Sequence, residues 1–236
     1  GKGIKSTRLA ARLRAKGHRV TEVDTAIGGE QMNLRRRDVL QPILDAIAAH
    51  CYDGVYMAPT CQSYLLDFAP KIRSRKCPRE WQGTPLEWRA YARMHDELTD
   101  AVAEVWAACT KAGVPPVAEN PGDRGDPKSP AFWKDHGRDH APFWIQPPIA
   151  EIREGGAKLA HTPHCGWSVE PEVQKWLTFL LPAYVPDEAV ARISRPCEHA
   201  SHHHVAFGKL EDGSSASAPT AEYPPALDEA LSVLME

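Results

Sequence analysis

At 236 residues with a hydrophobic fraction of 42%, the chain has enough apolar material for one domain, or one domain with a small appendage. Its formal net charge of −3 excludes a global basic field, so a nucleic-acid contact has to come from local patches. No apolar stretch reaches the roughly 18–20 residues that span a bilayer, and the first residues lack the apolar core of a signal peptide, so no membrane partner is expected.

In chain order, "STRLAARLRAKGH" places Leu9 and Leu13 at helical spacing, with Gly17 as the stop of a helix over 6–16. "RVTEVDT" alternates like a strand and ends on Asp24. Arg35, Arg36 and Arg37 read as a solvated face before an amphipathic helix over 37–49, in which Pro42 is expected in the first turn. "YDGVYMAP" is the next strand. A second basic patch follows, with five Lys/Arg residues from Lys71 to Arg79. Pro85 to Ala112 is a long helix ending at Gly113, and "PPVAENP" is a strand that stops at Pro121. Helix and strand in alternation predict a parallel α/β sheet covered by helices on both faces.

Beyond residue 121 the pattern weakens. Residues 122–148, rich in Pro, Gly, Asp, His and aromatics, read as a long ordered loop. "VQKWLTFLL" suits a strand, "CEHASHHH" a His-rich loop, "SSASAP" a flexible one, and "PPALDEALSVLME" a helix started by proline. The expected division is a core over 1–150 and a smaller, irregular part over 151–236 packed on it.

Open α/β sheets bind ligands beyond the carboxyl ends of their strands. Three expected strand ends carry reactive side chains: Asp24, Cys61 and the Glu119–Asn120 pair. An acid at such an end accepts hydrogen bonds from a ribose. A thiol can serve as a nucleophile when its pKa is lowered or a proton acceptor is near.

"APTCQSY" and "AENP" at two of these ends resemble the Pro-Pro-Cys-Gln and Glu-Asn motifs of DNA cytosine-5 methyltransferases. The whole pattern, with "ENPGDRGDPKSPAFW" and "AEYPPAL", is similar to domains of this kind carried by mobile elements and viruses. The resemblance implies a Rossmann-like fold, S-adenosylmethionine as cofactor and DNA as partner. It makes Cys61 the nucleophile on carbon 6 of a flipped cytosine, Glu119 the base-binding acid at N3 and the exocyclic amine, and Asn120 its positioning partner. It assigns Asp24 to the ribose hydroxyls, and Asn33 and Pro59 to the cofactor. Gln62 would meet the substrate, and Arg73 and Arg75, in the loop after the nucleophile, would meet phosphates, for which the bidentate guanidinium suits. "CGWSVEPEVQKWLTFLL" is similar to the family's Gln-Arg segment ahead of a strand, which adds Gln174 and Lys175 to the substrate contacts.

Two departures stand beside this. Thr60 replaces the second proline, and the family's glycine-rich first motif and its strand are expected ahead of residue 1. They keep open a non-catalytic nucleic-acid- or protein-binding module on a degenerate methyltransferase fold, and a methyltransferase acting on RNA or a nucleotide. Separately, six cysteines without dense spacing suggest an intracellular protein with free thiols or a metal site. Cys165, Cys197, His199 and His202 offer the thiolates and imidazoles of a structural zinc centre.

Overall fold

The computed structural model describes residues 8–79, 82–135, 139–167, 173–199, 202, 204–206, 208 and 222–235. The expected flexible loop over 214–219 lies outside them. Among the described residues the chain is a mixed α/β fold with seven α-helices, a four-stranded sheet and a separate two-stranded pair. No helix among them is long and apolar enough to cross a membrane.

Helix α1 (Arg8–Ala15) buries Leu9 and Ala10, and its stop is Gly17, whose φ of 94° suits a residue without Cβ. The expected strand after it is absent. Residues 18–24 carry no regular secondary structure, and none of them is buried. Alternation supplies two faces, but a strand also needs a partner for its backbone groups, and this segment has none in either sheet. Asp24 instead caps the short helix α2 (Thr25–Gly28), accepting the Ala26 N–H at 2.7 Å. Helix α3 (Arg37–Ala48) buries Leu40 and Ile47; Pro42 lies in its second turn, not its first.

Strands β1 (Val55–Met57) and β2 (Pro116–Pro121) run parallel, with Tyr56 opposite Val117, and helix α4 (Leu86–Ala112) connects them. Over its 27 residues α4 turns Ala92, His95, Thr99, Val102, Trp106 and Cys109 inward at three- and four-residue spacing. Gly113, with φ of 72°, ends it in the left-handed conformation.

Three further elements emerge where the composition is irregular: α5 (Pro147–Glu154), β3 (Lys158–Pro163) and α6 (Asp187–Ile193). The single strand expected over 173–181 is two, β4 (Val173–Gln174) and β5 (Trp176–Leu181), with Lys175 between them. Strand β5 is antiparallel to β2 and to β3, so the sheet order is β1-β2-β5-β3 and the sheet is mixed, not all-parallel. Residue 150 falls inside α5, and the sheet takes strands from both sides of it. Strand β6 (His204–Val205) pairs parallel with β4. Helix α7 (Pro225–Leu234) then buries Leu227 and Leu231 in the cluster that holds Leu9, Leu177 and Phe179.

The segment between β1 and α4 is anchored on α4 by buried polar contacts. Tyr64 donates to the His95 carbonyl at 2.9 Å. Arg73, 4% exposed, pairs with Asp96 at 2.5 Å and donates to the carbonyls of Ala92 and Pro78, each at 2.8 Å. Removing one partner of a buried ion pair strands the other charge. Arg73→Ala is therefore expected to lower unfolding stability by about 3–5 kcal/mol, measured by urea denaturation. Arg73→Lys should recover little of it, because an ammonium cannot span the Asp96 carboxylate and both carbonyls.

Candidate functional site

Parallel pairing of β1 and β2 puts both carboxyl ends at one end of the sheet. Strand β3 has the same direction, because both it and β2 oppose β5, and the start of β5 also lies there, with Pro121 opposite Leu177 and Pro163 opposite Trp176. Cys61, Glu119–Asn120, Lys175 and Cys165 are all carried at or just beyond this end.

The tie between the first two is a hydrogen bond. Asn120, 1% exposed, donates its amide to the Pro59 carbonyl at 3.1 Å, linking the end of β2 to the turn that presents Cys61. Cys61 is half-buried and opens a 3-10 turn over 62–64, its carbonyl accepting the Tyr64 N–H at 2.9 Å. Gln62 is exposed and accepts from the Tyr91 hydroxyl at 2.9 Å, so α4 also holds the residue after the thiol.

Glu119 is 9% exposed, and burial pushes its carboxyl pKa up, opposed by the Lys175 charge and a hydrogen bond from Tyr223. The Tyr223 hydroxyl meets that of Tyr56 at 2.6 Å. With Tyr223 donating to the carboxylate, Tyr56 donates to Tyr223, a directed chain from β1 through the segment before α7 to β2. The Cys61 thiol is also pushed up, first by burial and then by the Glu119 charge, with Lys175 acting the other way. Thiol and carboxyl are thus electrostatically coupled, each disfavouring the other's anion, and Lys175 favours both. His95, 1% exposed and in ring contact with Tyr91 at 4.6 Å, has its pKa lowered to about 4 by burial and by Arg73, and is neutral at pH 7.

The other residues singled out in the sequence fall elsewhere. Arg73 has its guanidinium enclosed by protein partners, as described above, and is a brace of the loop rather than a surface for phosphate. Arg75 forms a two-pronged pair with Asp123 at 2.8 and 2.9 Å and donates to the His140 carbonyl at 3.2 Å. Asn33, 6% exposed, gives its amide to Glu30 at 2.8 Å and accepts the Arg35 N–H at 3.1 Å. Gln174 is half-buried, and its carbonyl accepts the Ala206 N–H at 3.0 Å across the β4–β6 pair. An open cavity of about 340 Å³ is lined by Val23, Gln31, Met32, Arg36, Val39 and Ile43. It adjoins the chain neighbours of Asp24 and Asn33, and neither Cys61 nor Glu119 lines it.

Cys165, in a 3-10 turn just after β3, meets Cys197, His199 and His202 from the segment between α6 and β6. The two sulfurs are 3.7 Å apart, His202 Nε2 lies 3.1 Å from Cys165 Sγ and 3.2 Å from Cys197 Sγ, and His199 Nδ1 lies 3.9 Å from Cys197 Sγ. All four ligand atoms lie within 4.8 Å of one another, and the cluster can hold a metal ion. The sulfur separation is far too long for a disulfide.

Tyr56, Tyr91 and Tyr223 were not singled out as site residues in the sequence. Only Tyr223 carried a signal, its place in "AEYPPAL". The others acquire meaning from partners 29 or more positions away in the chain. No family model matches the chain, and no curated protein or solved structure matches it either.

Proposed function

We propose that the chain has a Rossmann-like methyltransferase fold and transfers a methyl group to carbon 5 of cytosine in DNA, with Cys61 as nucleophile. The observation that carries this reading is the Asn120–Pro59 hydrogen bond, which couples the turn bearing the thiol to the strand end bearing the acid. A flipped cytosine bound there would meet Cys61 at carbon 6 and Glu119 at N3 and the exocyclic amine; leaving the stack costs it a few kcal/mol. A carboxyl with a raised pKa suits this role, since it can hold a proton on the ring nitrogen while the ring accepts electrons from sulfur. Burial is the main cause of the raised thiol pKa; engaging Glu119 in this way would relieve the second, the carboxylate charge, and so ease ionisation of Cys61. S-adenosylmethionine would supply the methyl group and leave as S-adenosylhomocysteine; loss of the carbon 5 proton to solvent would then expel the Cys61 thiolate and restore the ring. The cavity beside Asp24 and Asn33 supports its placement, with the exposed Asp24 nearest the ribose. Asn33 is engaged internally, its amide on Glu30 and its side-chain oxygen accepting from Arg35.

The Cys/His cluster we read as a structural zinc site. Zinc–sulfur bonds of about 2.3 Å in tetrahedral geometry place two thiolates about 3.8 Å apart, and the observed separation is 3.7 Å. Two thiolates and two imidazoles are also the donor set that favours zinc over hard cations.

Cys61→Ser is expected to abolish methyl transfer with the fold intact, because a hydroxyl is a far weaker nucleophile at neutral pH. DNA containing 5-fluorocytosine should trap wild type covalently through Cys61 when the cofactor is bound. Absence of that adduct would return the chain to a binding module on a degenerate fold, and trapping on RNA or a nucleotide instead would change the substrate class.

Glu119→Gln should keep salt-dependent DNA binding, which comes from phosphate contacts, while losing about 10²–10⁴-fold in single-turnover rate. Wild-type rate should rise with pH as the thiol ionises, since its pKa lies above that of an ordinary cysteine. An unchanged rate in Glu119→Gln leaves the glutamate as a mere strand cap.

Protein purified without chelator should carry about one zinc per chain, and Cys197→Ala should lose it and melt at lower temperature. Elemental analysis and thermal denaturation read both outcomes.

A further inference from the structure

The metal cluster and the Cys61–Glu119 pair sit at the same end of the sheet, and His164 bonds to the segments that carry Lys175 and Tyr223. Its backbone N–H donates to the Lys175 carbonyl at 2.7 Å. Its Nε2 lies 3.0 Å from the Glu222 carbonyl, to which it donates, and Glu222 directly precedes Tyr223. His164 is itself the chain neighbour of Cys165 and shares its 3-10 turn. The other ligands lead to the same place from the opposite side. His202 lies two residues before β6, β6 pairs with β4, and β4 ends immediately before Lys175.

We infer that the Cys165–Cys197–His199–His202 centre, once it holds its metal, is a positioning knot for the candidate site: through His164 and the β4–β6 pair it fixes Lys175 and Tyr223 against Cys61 and Glu119. This rests on reading the cluster as a metal site and those two residues as the reactive pair. The elements involved are short and weak by themselves. Strands β4 and β6 have two residues each, and a two-residue ladder carries too little backbone hydrogen bonding to hold a lysine in place. A metal cross-link joining residue 165 to residues 197–202 supplies the missing constraint by closing a loop of about thirty residues.

Lys175 is the readable end of this arrangement, because its charge bears on the thiol. The groups that face Cys61 are Glu119 from β2, Lys175 from the β4–β5 link, Asp67 from the loop after the 3-10 turn, and Tyr91 from α4. Glu119 in turn faces Tyr223 and Tyr56. With Lys175 in place the thiol ionises more readily than Glu119 and burial alone would permit. If Lys175 drifts, the midpoint for thiolate formation must move to higher pH.

The test is the pH dependence of Cys61 alkylation by iodoacetamide, followed by peptide mass spectrometry on the full chain, zinc-loaded and after chelation. Chelation should raise the Cys61 midpoint by about half a pH unit or more, the direction expected on losing a nearby cation. Lys175→Met should raise it in the zinc-loaded protein, and chelation should then add nothing. Glu119→Gln should lower it, as a control of opposite sign. An unmoved midpoint on chelation, or an equal movement in wild type and Lys175→Met, overturns the inference. So does a protein that binds no zinc. If the chelated protein loses its circular dichroism signal, His164→Pro keeps all four ligands and deletes both His164 hydrogen bonds, leaving only the weak β4–β6 pair. It should retain the absorption of a thiolate-bound cobalt(II) probe while shifting Cys61 as Lys175→Met does. Loss of fold in both cases also overturns it, since the centre would then only support the fold. Alkylation needs neither DNA nor a methyl donor, so the outcome stands apart from that of methyl transfer.

Discussion

A carboxylate on a fully enclosed strand has to find partners, and Glu119 is that carboxylate. Five of the six β2 residues are buried, and the sixth is Pro121 at the edge. Unpaired, a charge in this position would be driven to its neutral form. Its partners come from three distant parts of the chain: Lys175 from the β4–β5 link, Tyr223 from ahead of α7, and Tyr56 behind Tyr223 from β1. Satisfying one acid therefore requires the last described segment to return across the sheet end. Packing makes the same demand, since Leu227 and Leu231 of α7 share a cluster with Leu9 of α1 and Leu177 and Phe179 of β5.

The loop carrying Cys61 is held from the opposite side. Tyr64, Arg73 and Gln62 each reach a different point on α4, and Arg73 does so as a buried ion with its hydrogen bonds satisfied. A buried ion pair adds little net stability over an apolar core, yet it penalises misplacement strongly. Under the proposed chemistry, that suits a loop that must keep one thiol aimed. The basic run from Lys71 to Arg79 is accordingly a set of internal braces at Arg73 and Arg75 more than a cationic face. Under the proposed chemistry, affinity for a nucleic acid would have to draw on other cations.

Cys61 and Glu119 make an asymmetric pair in which both pKa values are pushed upward. Burial is the first cause for both groups, and for the thiol the Glu119 charge adds to it, so neutralising the carboxylate would ease thiolate formation without removing the cost of burial. Lys175 tempers the penalty without removing it. Lys175 is tied into the fold by its carbonyl, which accepts the His164 N–H, and by the short β4–β6 pair that ends just before it.

From local pattern alone, the sequence determined the helices α1, α3, α4 and α7, the strands β1 and β2, and the placing of Cys61 and Glu119–Asn120 at adjacent strand ends. These rest on short-range signals: apolar spacing along α4, glycine stops at Gly17 and Gly113, and proline breaks at Pro59 and Pro121. It also held the four side chains that could hold a metal ion, as residue types without a geometry. What only the tertiary structure decided is everything that depends on a partner. Residues 18–24 alternate as a strand does, yet no ladder receives them. Strand β3 has no clear alternation, and β5 runs antiparallel between β2 and β3, a direction that no local pattern encodes. Arg73 became a brace because Asp96, 23 positions away, meets it in a buried space. Tyr223 reaches Tyr56 across 167 positions. Spacing reports what a residue can do over a turn or two of chain, whereas burial, charge neighbours and register exist only once the chain has closed on itself.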